Sequence, residues 1–161
     1  MTILAKETLY DIVTHSPEET IAFGRRLAGI LQPPCIALLE GDLGSGKTTL
    51  TKGVVAGLGA ASQDEVTSPS FTLVHEYGGG AAARPRTPLR PRVVHVDLYR
   101  IEDPREIGSL GLDEVFSTPS TVLIEWGERF PQPPAGRLLR IRMETVGQFE
   151  RHIVVECVEE D

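Results

Sequence analysis

The sequence predicts a single mixed α/β domain, and three observations indicate this fold class. Helix-start signals and short apolar runs follow one another along the chain, as in folds whose helices cover a sheet. A glycine-rich segment joins the apolar run "CIALLE" to the helical run "KTTLTKGVVAGL". Two apolar runs near the end of the chain surround a glycine, which is typical of a β-hairpin. A length of 161 residues suits one domain over residues 1–161.

Capping and breaking residues predict where the helices begin and end. A capping box at 16–19, with proline at the first helical position, begins a helix that the proline pair at 33–34 ends. Residues 47–58 are predicted as a second helix, which the following glycine ends. "DPRE" at 103–106 is a further Asp-capped start, and "LGLDEVF" at 110–116 continues it as helix or turn.

The apolar runs predict a mixed central sheet flanked by these helices. "CIALLE" at 35–40 is continuously apolar, which suits a strand buried on both faces in a parallel arrangement. Residues 70–77, 91–100 and 120–126 are predicted as further strands, and the last two runs as a C-terminal hairpin. Residues 78–91 are rich in Gly, Ala, Pro and Arg without an apolar period, so we predict a flexible insertion there.

Composition limits the classes of function. The net charge of −7 disfavours direct binding to nucleic acid, because contacts between basic side chains and phosphates supply most of that affinity. No apolar run approaches the ~20 residues of a membrane span. The N-terminus lacks the basic and apolar regions of a signal peptide, so we expect a cytoplasmic protein. Cys35 and Cys157 lie in apolar runs and are predicted to be buried thiols.

The segment "GDLGSGKT", residues 41–48, matches the phosphate-binding pattern G-x-x-x-x-G-K-[ST] at every fixed position. Its glycines let the backbone curl so that successive N–H groups point at phosphate oxygens, and the helix that follows presents its positive end. Lys47 is expected to reach the β- and γ-phosphates, and the Thr48 hydroxyl to bind Mg²⁺. ATP is the expected nucleotide, because the chain has no Asn for an N-K-x-D guanine motif.

Two carboxylates follow apolar runs and are candidate ligands of Mg²⁺. Asp97 ends "VVHV" and Glu125 ends "TVLI", and ligands gather where parallel strands end. The sequence leaves open which of the two binds the metal directly. The Pro-containing loop at 66–72 offers hydroxyls that could reach the γ-phosphate or the metal, those of Thr67, Ser68 and Ser70. Trp126 follows Glu125 and fits either the site or the core.

Taken together, these motifs resemble the TsaE (YjeE) family of small bacterial ATPases. The matching segments, in chain order, are "GDLGSGKTT", "TSPSFTLVHEY", "HVDLYRIEDPREI" and "VLIEW". The resemblance implies a P-loop NTPase-like fold and slow ATP hydrolysis. It also implies two partner proteins, TsaD and TsaB, which transfer a threonylcarbamoyl group to adenosine 37 of tRNA. By this resemblance the chain would act on the transfer complex and not directly on tRNA.

The resemblance also implies roles for individual residues. Thr48 and Glu125 would bind Mg²⁺, Asp97 would assist the metal or the attacking water, and Thr67 would sense the γ-phosphate. The phosphates would be held by Gly44, Ser45, Gly46, Lys47, Thr48 and Thr49.

The same resemblance places Pro17 beside the adenine. A basic side chain just after the hairpin turn often contacts nucleotide in the family. That position is Gln148 here, and the nearest arginine is Arg151.

Three functions are therefore compared. The leading hypothesis is an ATPase that acts as a switch on a protein complex. The alternative is a small-molecule P-loop kinase, for which the arginines of 84–92 could form a lid over the phosphates. A third possibility is a nucleotide-binding module without turnover. A chain of this length leaves little room for the acceptor pocket that a kinase needs.

Overall fold

The computed structural model describes residues 3–68, 74–79, 91–117, 119–126 and 136–160, and the predicted mixed α/β class is confirmed. Its strands are β1 (Ile3–Thr14), β2 (Cys35–Glu40), β3 (Val74–Tyr77), β4 (Val93–Asp97), β5 (Thr121–Glu125), β6 (Gly136–Thr145) and β7 (Arg151–Glu160). Its α-helices are α1 (Pro17–Leu27), α2 (Lys47–Leu58) and α3 (Leu112–Ser117).

In the described ranges the strands form one seven-stranded sheet in the order β1-β7-β6-β2-β5-β4-β3. Its centre is parallel, because β2 pairs in parallel with both β5 and β6, and β4 pairs in parallel with β5. Antiparallel strands complete the two edges, β3 beside β4 and the pair β7–β1 beside β6. The predicted C-terminal hairpin is thus confirmed as β6 and β7. The carboxyl ends of β4 and β5 meet, with Asp97 level with Glu125.

The two faces of the sheet are covered by different elements. Helices α1 and α2 pack on one face, where Leu27 and Leu50 join Val93 and Leu123 of the sheet. A 3₁₀ segment at Pro104–Leu110 and α3 pack on the opposite face. Because alternate strand residues point to opposite faces, the side chains two positions beyond Val93 and Leu123 also lie on the α2 face.

The helices follow the sequence prediction with two differences in detail. Helix α2 runs over the predicted residues and ends at Gly59, whose φ is +76°. Helix α1 ends at Leu27 and continues as a 3₁₀ turn at 28–30, so it stops before the proline pair that was predicted to end it. The start at Asp103 is real, since its carboxylate accepts a hydrogen bond from the Arg105 amide, but the segment is 3₁₀ and not α-helical.

Strand β1 is the main element that the sequence analysis does not predict. It lies at the edge of the sheet, where β7 is its one partner among the described strands, and its register shifts between Ile3 and Ala5 and again between Thr8 and Tyr10. Each shift breaks the alternation of apolar and polar residues on which strand prediction depends. The strand is therefore defined by its partner and not by its own pattern.

Two predicted strands are shorter than expected or only partly described. Strand β4 ends at Asp97 within the predicted 91–100, because the Asp97 carboxylate accepts a hydrogen bond from the Tyr99 amide (2.9 Å) and turns the chain. Of the strand predicted at 70–77, residues 70–73 lie outside the described residues. The predicted insertion at 78–91 also lies outside them, except for its first two residues and its last.

Two smaller predictions can also be compared with the structure. Neither cysteine forms a disulfide bond; Cys157 is buried as predicted, whereas Cys35 is only partly buried. In the described part of the chain, no helix combines the length and apolar character needed to cross a membrane.

Helices α1 and α2 touch where Gly24 faces Gly53. A Cβ atom on Gly53 would lie 2.0 Å from the carbonyl oxygen of Ile21, closer than backbone atoms allow. We expect Gly53→Ala to lower the free energy of unfolding by roughly 1–3 kcal/mol, because the helices must separate. Urea denaturation measures this. The control is Gly29→Ala, where a Cβ meets no atom within 4 Å. An equal loss in both variants would contradict the explanation.

Candidate nucleotide-binding site

A cavity of about 470 Å³ lies at the edge of the sheet where the parallel strands end. The glycine-rich loop, the start of α1, the ends of β4 and β5 and the hairpin turn surround it. Most of the predicted site residues line this cavity: Pro17, Gly44, Gly46, Lys47, Thr48, Thr49, Asp97, Glu125, Trp126 and Arg151. The fold therefore assembles residues that lie more than 100 positions apart in the chain.

The glycine-rich loop leads into α2, whose first residues lie at the cavity. Gly46 adopts a φ of +98°, which side-chain-bearing residues rarely adopt, and its carbonyl accepts the first helical hydrogen bond from Leu50 at 2.8 Å. The first three helical residues, 47–49, all line the cavity. The positive end of the helix dipole thus faces the space in which an anion would sit.

Lys47 is almost wholly buried, with 5% of its surface exposed. Its ammonium donates hydrogen bonds to the carbonyl oxygens of Gly41 (2.5 Å) and Asp42 (2.9 Å). It also lies 4.0 Å from the centre of the Trp126 ring, within the range of a cation–π interaction. Tyr99 packs against the same indole, with ring centres 5.1 Å apart. Trp126 therefore lies at the cavity and contacts the lysine, and its part in nucleotide binding stays a prediction.

The two candidate carboxylates differ in their partners. The Thr48 hydroxyl lies 3.1 Å and 3.0 Å from the two oxygens of Glu125, which is 3% exposed. Asp97 is 6% exposed and accepts a hydrogen bond from the Ser68 hydroxyl at 2.9 Å. Both acids are thus oriented by hydrogen-bond donors. Glu125 is the one in direct contact with the glycine-rich segment.

The oxygens at this edge of the cavity fit Mg²⁺. The described residues hold no group of three or more His, Cys, Asp or Glu side chains arranged to bind a metal alone. At this edge Thr48 offers a hydroxyl, and Glu125 and Asp97 each offer a carboxylate. Mg²⁺ prefers hard oxygen ligands and usually retains waters and phosphate oxygens besides one or two carboxylates. Such a partial oxygen set suits Mg²⁺ held jointly with a nucleotide.

Arg151 joins the hairpin to the glycine-rich loop. Its guanidinium donates to the Gly44 carbonyl at 3.1 Å and to the carbonyls of Gly147 and Glu150 at 3.2 Å and 2.9 Å. Arg151 lines the cavity, whereas Gln148 is exposed and is not among the described lining residues. Arg151 thus places a positive charge at the cavity, although the position just after the turn, Gln148, is uncharged.

Two predicted site residues lie outside the cavity lining. Ser45 is buried within the glycine-rich loop, with its hydroxyl 3.5 Å from the Lys47 ammonium. Thr67 is exposed, and its backbone bonds Tyr77. Burial raises the pKa of the Tyr77 hydroxyl, and the bond from Thr67 offsets part of that rise. The role of Thr67 at the γ-phosphate stays a prediction.

Some residues at the site were not singled out by sequence reasoning. Wholly buried His95 contacts Glu125, whereas Ser68, which contacts Asp97, was among the hydroxyls predicted in the loop at 66–72. Phe149 and Tyr99 line the cavity and are about half exposed. The position of His95, two residues before Asp97 on the same strand, is the signal that could have identified it, because such residues share a face.

Comparison with known proteins agrees with this architecture. The family described as "Threonylcarbamoyl adenosine biosynthesis protein TsaE" matches residues 14–153. A Bacillus subtilis protein named for tRNA threonylcarbamoyladenosine biosynthesis, TsaE, is 39% identical over 145 residues, which are 90% of this chain and 84% of that one. A protein of the same name from Nostoc sp. is 42% identical over 122 residues, 73% of this chain and 68% of that one.

A solved structure supports the same grouping. The crystal structure of Bacillus subtilis YdiB aligns with a TM-score of 0.69 and 31% identity, and the match covers 98% of this chain and 88% of YdiB. The chain belongs to the TsaE family, whose members are named for the biosynthesis of threonylcarbamoyladenosine in tRNA.

Proposed function

We propose that this protein is a Mg²⁺-dependent ATPase that serves threonylcarbamoylation of tRNA adenosine 37 in the cytoplasm. It acts on the TsaD–TsaB transfer complex and not directly on tRNA. The observation that carries the proposal is the contact between Thr48 and Glu125 beside the buried Lys47. This contact puts a hydroxyl and a carboxylate next to a phosphate-binding loop, as a Mg²⁺–nucleotide site requires.

Different residues of the cavity are assigned to the phosphates, to Mg²⁺ and to the remainder of the nucleotide. Backbone N–H groups from Gly44 to Thr49 bind phosphate oxygens, and the Lys47 ammonium neutralises charge on the β- and γ-phosphates. Mg²⁺, held by Thr48 and Glu125, would neutralise further phosphate charge. Pro17 at the start of α1 and Arg151 at the hairpin border the remainder of the nucleotide. These assignments agree with the lining of the cavity.

Hydrolysis in such sites depends on positioning and on charge neutralisation more than on covalent chemistry. Asp97 is held by the Ser68 hydroxyl on one oxygen and by the Tyr99 amide on the other. A carboxylate fixed in this way can accept a hydrogen bond from water and orient it for attack. We assign Asp97 this role and assign Glu125 to the metal. Thr67 is proposed to respond to the γ-phosphate through the loop that carries Ser68.

The mode of action on partners follows from charge and family. A net charge of −7 favours binding to protein partners over direct binding to tRNA phosphates. The relatives are named for the tRNA modification as a whole. Of the arginines that could form the lid of a kinase, Arg92 instead pairs with Glu76 at 2.7 Å, and residues 84–90 lie outside the described residues.

We predict that Lys47→Ala reduces ATP turnover by at least about 100-fold, because the variant loses the ammonium that is proposed to neutralise charge on the γ-phosphate. Phosphate release measures the rate, and circular dichroism shows that the fold is retained. Lys6→Ala is the matched control, because Lys6 is half exposed on β1 and pairs with Glu156 away from the cavity. Normal turnover in Lys47→Ala would refute the ATPase assignment.

We predict that Glu125→Ala weakens Mg²⁺ binding more than Asp97→Ala does, because only Glu125 contacts Thr48. Mg²⁺ titrations of the nucleotide complex compare the two variants. Asp97→Ala should instead slow turnover at saturating Mg²⁺. A larger loss of Mg²⁺ affinity in Asp97→Ala would exchange the two roles.

Stimulation by partners separates the ATPase switch from its alternatives. Phosphate release is measured with and without TsaD and TsaB of the same organism, with Lys47→Ala as the blank. We expect strong stimulation of the wild-type protein and none of the variant. A turnover rate that is unchanged by the partners would indicate an ATPase that acts on some other protein. A phosphorylated small molecule in a screen of the products would establish the kinase. Nucleotide binding without phosphate release would indicate the third possibility.

A further inference from the structure

His95 is a buried polar side chain that the proposed reaction does not use. It lies near the end of β4 with none of its surface exposed, and its ring Nε2 forms a hydrogen bond with the Glu125 carboxylate on the neighbouring strand. In the register of the two strands His95 is level with Leu123, so Glu125 lies two residues further along β5 on the same face. The contact therefore runs diagonally across the sheet toward the cavity.

Among the described residues, the hydrogen bond to Glu125 is the one polar contact that the His95 ring makes. On the α2 side its neighbours along and across the strands are the apolar Val93 and Leu123 and two polar residues that have other partners. His75, paired with His95 across β3 and β4, contacts the Tyr77 hydroxyl, and Asp97 accepts hydrogen bonds from Ser68 and Tyr99. Among the described residues its other ring nitrogen, Nδ1, has no hydrogen-bond partner. A polar ring buried in an apolar layer costs free energy unless its bonds offset that cost. The bond to Glu125 is thus the interaction that accounts for a histidine at this position.

The Glu125 carboxylate is held from two sides. The Thr48 hydroxyl approaches both of its oxygens, and His95 binds the Oε2 atom. Thr48 belongs to the set that would bind Mg²⁺, whereas His95 lies behind the carboxylate and does not line the cavity. A donor in that position fixes the rotation of the carboxylate before any ligand arrives.

We propose that His95 is a positioning residue that orients Glu125 for Mg²⁺. The inference rests on the proposed Mg²⁺–nucleotide function and adds to it a residue that does not touch metal or nucleotide. Hydrogen bonds to the outer side of metal ligands commonly contribute about 10–100-fold to metal affinity. His95 acts through its reach to Glu125, so the length of the side chain matters as well as its polarity.

The test uses two amides that differ by one methylene. In His95→Gln the amide nitrogen takes a position close to that of the histidine Nε2, whereas in His95→Asn it stops short of Glu125. Binding of a fluorescent ATP analogue is measured by anisotropy as Mg²⁺ is titrated, and again in EDTA. We expect His95→Asn to raise the Mg²⁺ concentration for half-saturation by about tenfold or more. His95→Gln should stay within about threefold of wild type, and both should bind nucleotide normally in EDTA.

His75 supplies the matched control. It is paired directly with His95 across β3 and β4, so it lies on the same face, but it is only partly buried and its Nδ1 contacts the Tyr77 hydroxyl at 3.3 Å. His75→Asn should leave the Mg²⁺ dependence unchanged. A second variant, His95→Leu, lacks the donor and fills more of the space than Asn, so it tests the same loss if His95→Asn does not fold.

Each outcome decides the proposal. Unchanged Mg²⁺ dependence in His95→Asn, or equal losses in His95→Asn and His95→Gln, would overturn it. Weaker nucleotide binding in EDTA, or loss of the fold in both His95→Asn and His95→Leu, would make His95 a core residue and would overturn it too. If the wild-type protein bound nucleotide without any dependence on Mg²⁺, the proposed function would fail together with this inference.

Discussion

The contact between Thr48 and Glu125 is the constraint on which the rest of the site depends. It joins the first turn of α2 to the last residue of β5, two elements separated by 77 positions in the chain. Burying an ionised carboxylate is costly unless donors surround it. Glu125 meets this requirement with Thr48 on the helix side and His95 on the sheet side. Helix, loop and sheet are therefore held in one arrangement by the group that the proposed chemistry needs.

The sheet makes that contact possible through its register. Asp97 and Glu125 are level on adjacent parallel strands, and both lie on the face that α2 covers. A shift of one residue in either strand would turn its carboxylate toward α3 and bury an unpaired charge among apolar side chains. The charges thus favour the correct register, and the correct register in turn brings the two acids to the same cavity.

Local patterns in the sequence were enough to predict the loop, α2 and the acids at the strand ends. The glycines, Lys47 and Thr48 are adjacent in sequence, so their arrangement follows from backbone preferences alone. Strand β1 could not be predicted in this way, because its pairing with β7 and its two register shifts depend on residues 137 to 157 positions away. The contacts Ser68–Asp97 and His95–Glu125 are equally non-local. Sequence reasoning therefore identified the residue types of the site more completely than it identified their partners.

Lys47 shows how the same groups can serve both stability and binding. Its buried ammonium is satisfied by the Gly41 and Asp42 carbonyls and by the face of Trp126. An anion that engages Lys47 must therefore offer oxygens that compete with these partners, as a charged phosphate group does through charge-assisted hydrogen bonds. Trp126 holds its ring there from a backbone with φ of +60°, a conformation that costs about 1–3 kcal/mol and persists where neighbours enforce it. Tyr99, which packs against the indole, is one such neighbour. The strained Trp126 and the buried Lys47 thus support each other, because the residue that follows β5 packs its ring against the ammonium at the start of α2.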